Sequence, residues 1–297
     1  MSKNSILVSV CIPSHNSAAF ILEAIHSVLY QDFTNWEMII VEDGTNDGTQ
    51  VIVEDFQKNV KQKVTYIRKD ENTGVSDTRN TAAKVAKGEW VAFLDSDDKW
   101  DEKHLSTLIQ TFLENPDSNF IHSGSVAFDS DTGKILSEGS RNNTAIITLP
   151  LSLFTGEYAI QPSSCMVSTD FYKLAGGFNP NLNYCEDMEM CFRHARAGCK
   201  FVCTEKNTSY YRKHKQGASA DFVKMALGAA QVYSIHSDWT EIPEKIRSKY
   251  ASSHWLAAAR LVRSSNKALA KEYVLNALTY RKTLKNILYW VAYGFLP

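Results

Sequence analysis

The feature that most constrains this chain is the alternation in its first hundred or so residues. Apolar runs ILVSVCI (6–12), WEMIIV (36–41), VTYIR (64–68) and WVAFL (90–94) are separated by stretches of helical period. In 17–30, Phe20, Ile21, Ala24, Ile25, Val28 and Leu29 recur at helical spacing behind Asn16 or Ser17 as cap. Residues 48–58 and 75–87 read as two further helices, the second stopped by Gly88. Strands apolar on both faces must be covered on both faces, and strand–helix–strand connections join parallel neighbours. The expected fold is therefore α/β, a mostly parallel sheet flanked by helices. Beyond about residue 118 the pattern shifts to shorter strands, NFIHSGSVAF and SSCMVS, then a helix at 186–197 and a strand at 200–204. From 221 onward the chain reads as helical. This places a boundary within GAS, with domains expected at 1–218 and 219–297.

In open parallel sheets, ligands bind beyond the carboxyl ends of the strands. Each predicted strand here ends in polar residues: Pro13-Ser14-His15-Asn16, then Glu42-Asp43-Gly44, then Asn72-Thr73-Gly74 with Arg79 in the next helix, then Asp95-Ser96-Asp97-Asp98. Any one of these could be turn chemistry, since Asp-Gly and Asn-Thr-Gly are good turn and helix-entry sequences. Four successive edges carrying carboxylates, amides and an arginine point instead to one site. Asp95, Asp97 and Asp98 repel one another unless a cation or a hydrogen-bonding ligand neutralises them. Hard divalent cations take oxygen ligands and share phosphates, so the cluster suits Mn²⁺ or Mg²⁺ with a nucleotide. The chain has neither G-x-x-x-x-G-K-[ST] nor G-x-G-x-x-G, which argues against a P-loop or a dinucleotide fold.

A formal charge of −1 gives no case for a nucleic-acid partner. No run approaches the roughly 18 apolar residues of a spanning helix. The first apolar run leads into Pro13 rather than into a cleavage site, so a cytoplasmic protein is expected. Cys185, Cys191, Cys199 and Cys203 fall close together but without a Cys-x-x-Cys knuckle. They read as small core residues rather than a zinc site.

The motifs PSHN, VEDGTNDGT, NTGVSDTRN and FLDSDD, in this order and spacing, resemble those of the family 2 glycosyltransferases of the GT-A fold. GGFNPNLNYCEDMEMCFRHARAG (176–198) is similar to that family's acceptor-side segment, and YYRKHKQGAS (210–219) to its closing motif. The resemblance covers roughly 5–218 and implies an inverting, metal-dependent transfer of a sugar from a UDP-sugar to a hydroxyl of a saccharide or lipid-linked acceptor. It implies a donor site of Pro13, His15, Asn16, Glu42, Asp43, Gly74, Arg79, Asp95 and Ser96. Asp43 would accept from the base, Arg79 would lie against the base or diphosphate, and Asp95 would reach the ribose or steer the metal ligands. Glu42 departs from the commoner Asp at its place. Asp97 and His214 would hold Mn²⁺ or Mg²⁺, and Asp187 would act as general base. Asp98, Trp100 and Glu186 would support the site or face the acceptor.

Other readings stay open. Acidic residues in EDMEM also suit a helix N-terminus, and Arg212-Lys213-His214-Lys215 also suits a solvated loop. A nucleotidyltransferase would need a glycine-rich loop after the first strand, where PSHNSAAF stands. A degenerate binding subunit would have no need of Asp95, Asp97 and Asp187. Sugar choice is expected in loops 140–165 and 176–190. The terminal Ile287, Leu288, Tyr289, Trp290, Val291, Tyr293, Phe295 and Leu296, with Lys271, Arg281, Lys282 and Lys285, suit an interfacial helix at the inner membrane face. The same residues suit a helix packed on the catalytic domain or on a homodimer partner.

Overall fold

The computed structural model describes residues 5–139 and 149–295. Part of the 140–165 loop, and the terminal Leu296, therefore lie outside the described residues. Among the described residues, a nine-stranded sheet runs through the molecule. Its first half is β1 (Val8–Ser14), β2 (Trp36–Asp43), β3 (Val64–Lys69) and β4 (Trp90–Phe93), all parallel, in the order β3-β2-β1-β4. Helices α1 (Ile21–Leu29), α2 (Thr49–Asn59) and α3 (Val75–Val85) connect them.

The near-continuous apolar strands reflect two cores. On β4, Trp90 and Ala92 join one cluster, with Val8, Val10, Met38 and Ile40 from the neighbouring strands and Ile21, Ala24 and Ile25 from α1. Val91 and Phe93 join the other, with Cys11, Ile39 and Val41 and with Ala82 and Ala83 of α3. A period of two divides each strand between the two faces. Each fully buried aliphatic or aromatic side chain contributes about 1.5–3 kcal/mol. Strand β3 is half-buried, with Arg68 exposed, as suits an edge position.

Two expectations change in detail. Helix α1 begins at Ile21 with Phe20 at the N-cap, and no side chain caps it. The Ser17 hydroxyl is engaged by the His15 amide and by Ser96, while its carbonyl closes the turn that precedes the helix. The strand expected at 200–204 continues to Lys213.

The second half of the sheet is mixed. After the short β5 (Lys99–Trp100) and α4 (His104–Glu114) come β6 (Phe120–Asp129), β7 (Ile135–Glu138), α5 (Leu151–Phe154), β8 (Cys165–Ser168), α6 (Thr169–Ala175), α7 (Glu186–Arg196) and β9 (Phe201–Lys213). Strand β8 pairs antiparallel with β4 and β6, β6 pairs parallel with β9, and β9 pairs antiparallel with β5. The pairing of β5 with β9 carries the end of β9 to the turn after β4.

Helices α8 (Phe222–Ile235), α9 (Glu244–Val262), α10 (Lys267–Tyr280) and α11 (Leu284–Phe295) complete the chain. This region docks on the sheet domain. Val232, Tyr233, Trp239, Ile242 and Ala251 belong to the same core as Phe154 and Phe192. Leu256, Val262, Tyr273 and Val274 form a smaller cluster, against which Tyr289 and Trp290 of α11 pack. Cys191 and Cys203 are buried, and Cys191 belongs to the core that contains Phe154 and Phe192.

Candidate active site

The strand order makes β1 the point from which the chain proceeds to neighbours on either side, and such switch points open a crevice beyond the strand ends. Several of the polar residues singled out in the sequence meet there, and others support it from beneath.

Asp43, at the end of β2, shapes one wall. Its Oδ1 accepts from the Thr73 amide and hydroxyl, both at 2.9 Å, and its Oδ2 from the Gly74 amide at 2.8 Å. Gly74 has φ +91°, a left-handed conformation that favours glycine. His15 Nδ1 is 2.8 Å from the Asp43 carbonyl, and the amide groups of Asn16 and Asn72 reach the same ring. His15 and Asn16 are exposed at the mouth, whereas Pro13 is buried behind them in β1. Glu42 turns away from this edge. It is 1% exposed, and its carboxylate accepts from Thr45 Oγ1 at 2.7 Å and from the Tyr66 hydroxyl, so it fastens the turn after β2 from beneath.

The acidic turn after β4 is held from two directions. Asp98 is 1% exposed, with Oδ2 accepting from Ser163 Oγ at 2.6 Å and Oδ1 from the Arg212 amide at 2.8 Å. Ser163 Oγ also accepts from the Asp95 amide at 3.0 Å. Burial first, then Asp97 and Asp95, push the Asp98 carboxyl well above its ordinary range. The Arg212 guanidinium donates to the Asp97 carbonyl at 2.6 Å, pairs with Glu23 and lies over Phe20 and Phe128. Trp100 is buried, donates to the Ser163 carbonyl at 2.6 Å and stacks on His104, so it braces the turn rather than facing a ligand. Ser96 is buried against Ser17 at 2.6 Å.

Asp97 is the carboxylate left open, with its side chain 31% exposed. His214, just past the end of β9, brings Nε2 to 2.9 Å from Asp97 Oδ2. Its buried Nδ1 has no hydrogen-bond partner among the described residues. No cluster of three or more His, Cys, Asp or Glu that could hold a metal ion occurs among those residues. The candidate ligands are therefore two. Adjacent octahedral ligands at about 2.1 Å from a metal stand roughly 3 Å apart, so the pair fits a cation that keeps waters and substrate phosphates for its remaining positions.

Helix α7 supplies the facing wall. It opens at Cys185 with φ +58°, a strained conformation for a non-glycine residue. Asp187 is half-buried, and its Oδ1 accepts from the Met188 amide at 2.7 Å. Burial first, then the neighbouring Glu186, raises its carboxyl to about 7. Glu186 accepts from Arg79 Nη1 at 2.7 Å, while Arg79 Nη2 donates to Asp95 at 2.6 Å. Arg79 is 3% exposed and lies over Phe178. It links the two walls from below and does not reach into the crevice. Asp95 is raised by burial, a shift that Arg79 opposes and Asp97 increases.

The sequence reading missed Ser163 and the Arg212 backbone. Ser163 sits in QPSSC with nothing to distinguish it from a loop serine. Arg212 could be suspected only as a neighbour of His214.

A family model described as Glycosyl transferase family 2 matches residues 9–173, more than half of the chain. The chain belongs to glycosyl transferase family 2. A teichuronic acid biosynthesis glycosyltransferase named as putative, TuaG of Bacillus subtilis (strain 168), is 42% identical over 108 residues, 36% of this chain and 42% of that protein. The UDP-Glc:alpha-D-GlcNAc-diphosphoundecaprenol beta-1,3-glucosyltransferase WfgD of Escherichia coli is 37% identical over 109 residues, 37% of this chain and 42% of that protein. The match thus spans about two fifths of the length of these relatives. The crystal structure of S. aureus TarS 1-349 in complex with UDP-GlcNAc superposes with a TM-score of 0.66 at 18% identity, covering 97% of this chain and 79% of that one. The GT-A-type α/β architecture of family 2, with its helical C-terminal region, is therefore the architecture of this chain.

Proposed function

We propose that this chain is an inverting glycosyltransferase that moves a sugar from a UDP-sugar to a hydroxyl of a saccharide or lipid-linked saccharide in cell-surface polysaccharide synthesis. The observation that carries the reading is the convergence of two unlike carboxylates on one crevice: Asp97, open and paired with His214, and Asp187, half-buried with a carboxyl raised to about 7. Family membership supports the reaction class. The printed names of WfgD and of the TarS complex support a uridine diphosphate donor.

The nucleotide would lie along the edge formed by Pro13, His15, Asn16, Asp43, Gly74, Asp95 and Ser96. Asp97 and His214 would hold Mn²⁺ or Mg²⁺. The bound cation would supply Lewis-acid stabilisation of charge on the departing diphosphate. Asp187 would take the proton of the acceptor hydroxyl as that oxygen attacks the anomeric carbon from the opposite face. A base with a pKa near the working pH is well matched to that transfer. The acceptor would enter through the open cleft of about 670 Å³ lined by Tyr184, Lys215, Gly217, Phe222 and Leu261, which adjoins both the His214 loop and the start of α7. On α11, Leu284, Ile287, Leu288 and Val291 form an exposed apolar stripe. With Arg281 and Lys282 it would give the chain a peripheral contact with a lipid surface, or with a second copy. No helix among the described residues is long and apolar enough to cross a membrane. In this reading, 1–218 is the catalytic domain and 219–297 its docked extension.

Calorimetric titration with UDP, with and without Mn²⁺, tests the donor site. Metal-dependent binding that is lost in Asp97→Ala is expected. UDP binding in wild type that is indifferent to metal and to Asp97 would overturn the assignment.

A further inference from the structure

The Arg79 bridge does more than tie two walls together. Its single positive charge serves Asp95 and Glu186, and Asp187 stands next to Glu186 at the start of α7. The charged groups that act on Asp187 are Glu186 on its own helix, Arg79 on α3 and Asp95 on the turn after β4. Cys165, Cys185 and Cys191 lie within range, but burial pushes their thiols up, so they add no charge near neutral pH. The guanidinium cannot lose its proton, is fixed over Phe178 and uses a separate nitrogen for each carboxylate. A lysine would replace this rigid planar fork with a single flexible point charge.

We propose that Arg79 is a positioning residue for the base: by engaging Glu186 and Asp95 it screens their charge from Asp187 and keeps that carboxylate free to take a proton from an acceptor hydroxyl. The proposal rests on Asp187 acting as the base. It also explains why a residue expected against the donor is buried beneath it. Without Arg79, two uncompensated carboxylates would face Asp187 in a poorly solvated pocket, and its ionised form would be disfavoured. Without Glu186, the strongest repulsion would vanish and the ionised form would be favoured.

The test reads Asp187 directly and needs no substrate. The full-length chain is labelled with [¹³Cγ]aspartate, and the carboxyl resonance of Asp187, assigned by its disappearance in Asp187→Asn, is titrated by NMR. The Asp187 midpoint is expected to rise by about one pH unit in Arg79→Gln, a tenfold change in its ionisation ratio. It should fall in Glu186→Gln and return close to wild type in the double variant. Arg79→Lys should be intermediate. A folded Arg79→Gln whose Asp187 midpoint stays within about 0.3 of wild type overturns the proposal. If Arg79→Gln does not fold, Glu186→Gln decides: a fall supports the proposal and an unmoved midpoint overturns it. Failure of the base reading would appear separately, as sugar transfer from UDP-sugars that survives Asp187→Asn.

Discussion

Ser163 and Ser164 are adjacent, both buried and identical in chemistry, yet the structure gives them very different weight. Ser164 Oγ makes one local bond, donating to the Gln161 carbonyl at 2.8 Å. Ser163 Oγ donates to the buried Asp98 carboxylate and accepts from the Asp95 amide. Replacing Ser164 by alanine removes one neutral hydrogen bond, about 0.5–1.5 kcal/mol. Replacing Ser163 removes a bond to the Asp98 carboxylate, about 1.5–3 kcal/mol, and leaves the part-buried Asp95 N–H without its partner, about 1–3 kcal/mol more. The expected loss for Ser163→Ala is therefore about 3–5 kcal/mol. At roughly 2–3 °C per kcal/mol for a chain of this size, its thermal midpoint should fall by roughly 6–15 °C, against about 1–5 °C for Ser164→Ala. Differential scanning calorimetry of both variants without ligand measures this. Midpoints within about 1 °C of each other would show that Ser163 does not anchor the acidic turn. Because Asp97 lies between the two residues that Ser163 holds, the same variant should also bind UDP with Mn²⁺ more weakly.

Other expectations follow from the same geometry. Glu42→Gln should cost about 1–3 kcal/mol in stability, yet leave the UDP dissociation constant within about threefold of wild type, since Glu42 fastens the turn after β2 and does not face the crevice; calorimetry reads both. Asp187 has a folded pKa raised above its unfolded value, so its contribution to stability is fully present below about pH 4 and is lost as pH rises through about 7. Asp187→Asn should accordingly match wild type near pH 4 and exceed it by on the order of 2–4 kcal/mol near pH 8, while abolishing transfer; denaturation across that range would reveal a missing pH dependence. Replacing Leu284, Leu288 and Val291 with serine should leave the thermal midpoint nearly unchanged, since these side chains are exposed, but should lower co-sedimentation with anionic lipid vesicles; unchanged sedimentation would remove the lipid contact.

Much of this was legible in the sequence, for a physical reason. Strands covered on two faces must be apolar at nearly every position, so β1, β2 and β4 stood out, and polar residues just past their ends had to lie at one edge. The chain beyond Thr204 was harder to read. Strand β9 passes through Glu205, which has a positive φ, and its register with β6 shifts nearby, so the alternation that marks a strand breaks while the strand continues. Roles that depend on depth were also hidden. Arg79 and Glu42 have the composition of ligand-facing residues, and only the packing of α3 and the pleat of β2 show that each is consumed by internal partners. Ser163 carried no local signal because its importance comes from contacts 65 and 68 residues away.

The arginine between the walls also bears on how such chains can be recombined. A chimera that kept residues 1–173 and borrowed the remainder from a relative would import a new base helix under an old Arg79. Unless the incoming segment placed a carboxylate where Glu186 stands, the guanidinium would be left buried with half its counter-charge missing. An acceptor-side graft without that carboxylate would inherit a destabilised seam and a displaced base along with any new specificity. Exchange of acceptor preference among such proteins is thus expected to travel with the Arg79–Glu186 pair, as a unit larger than the loops that touch the sugar.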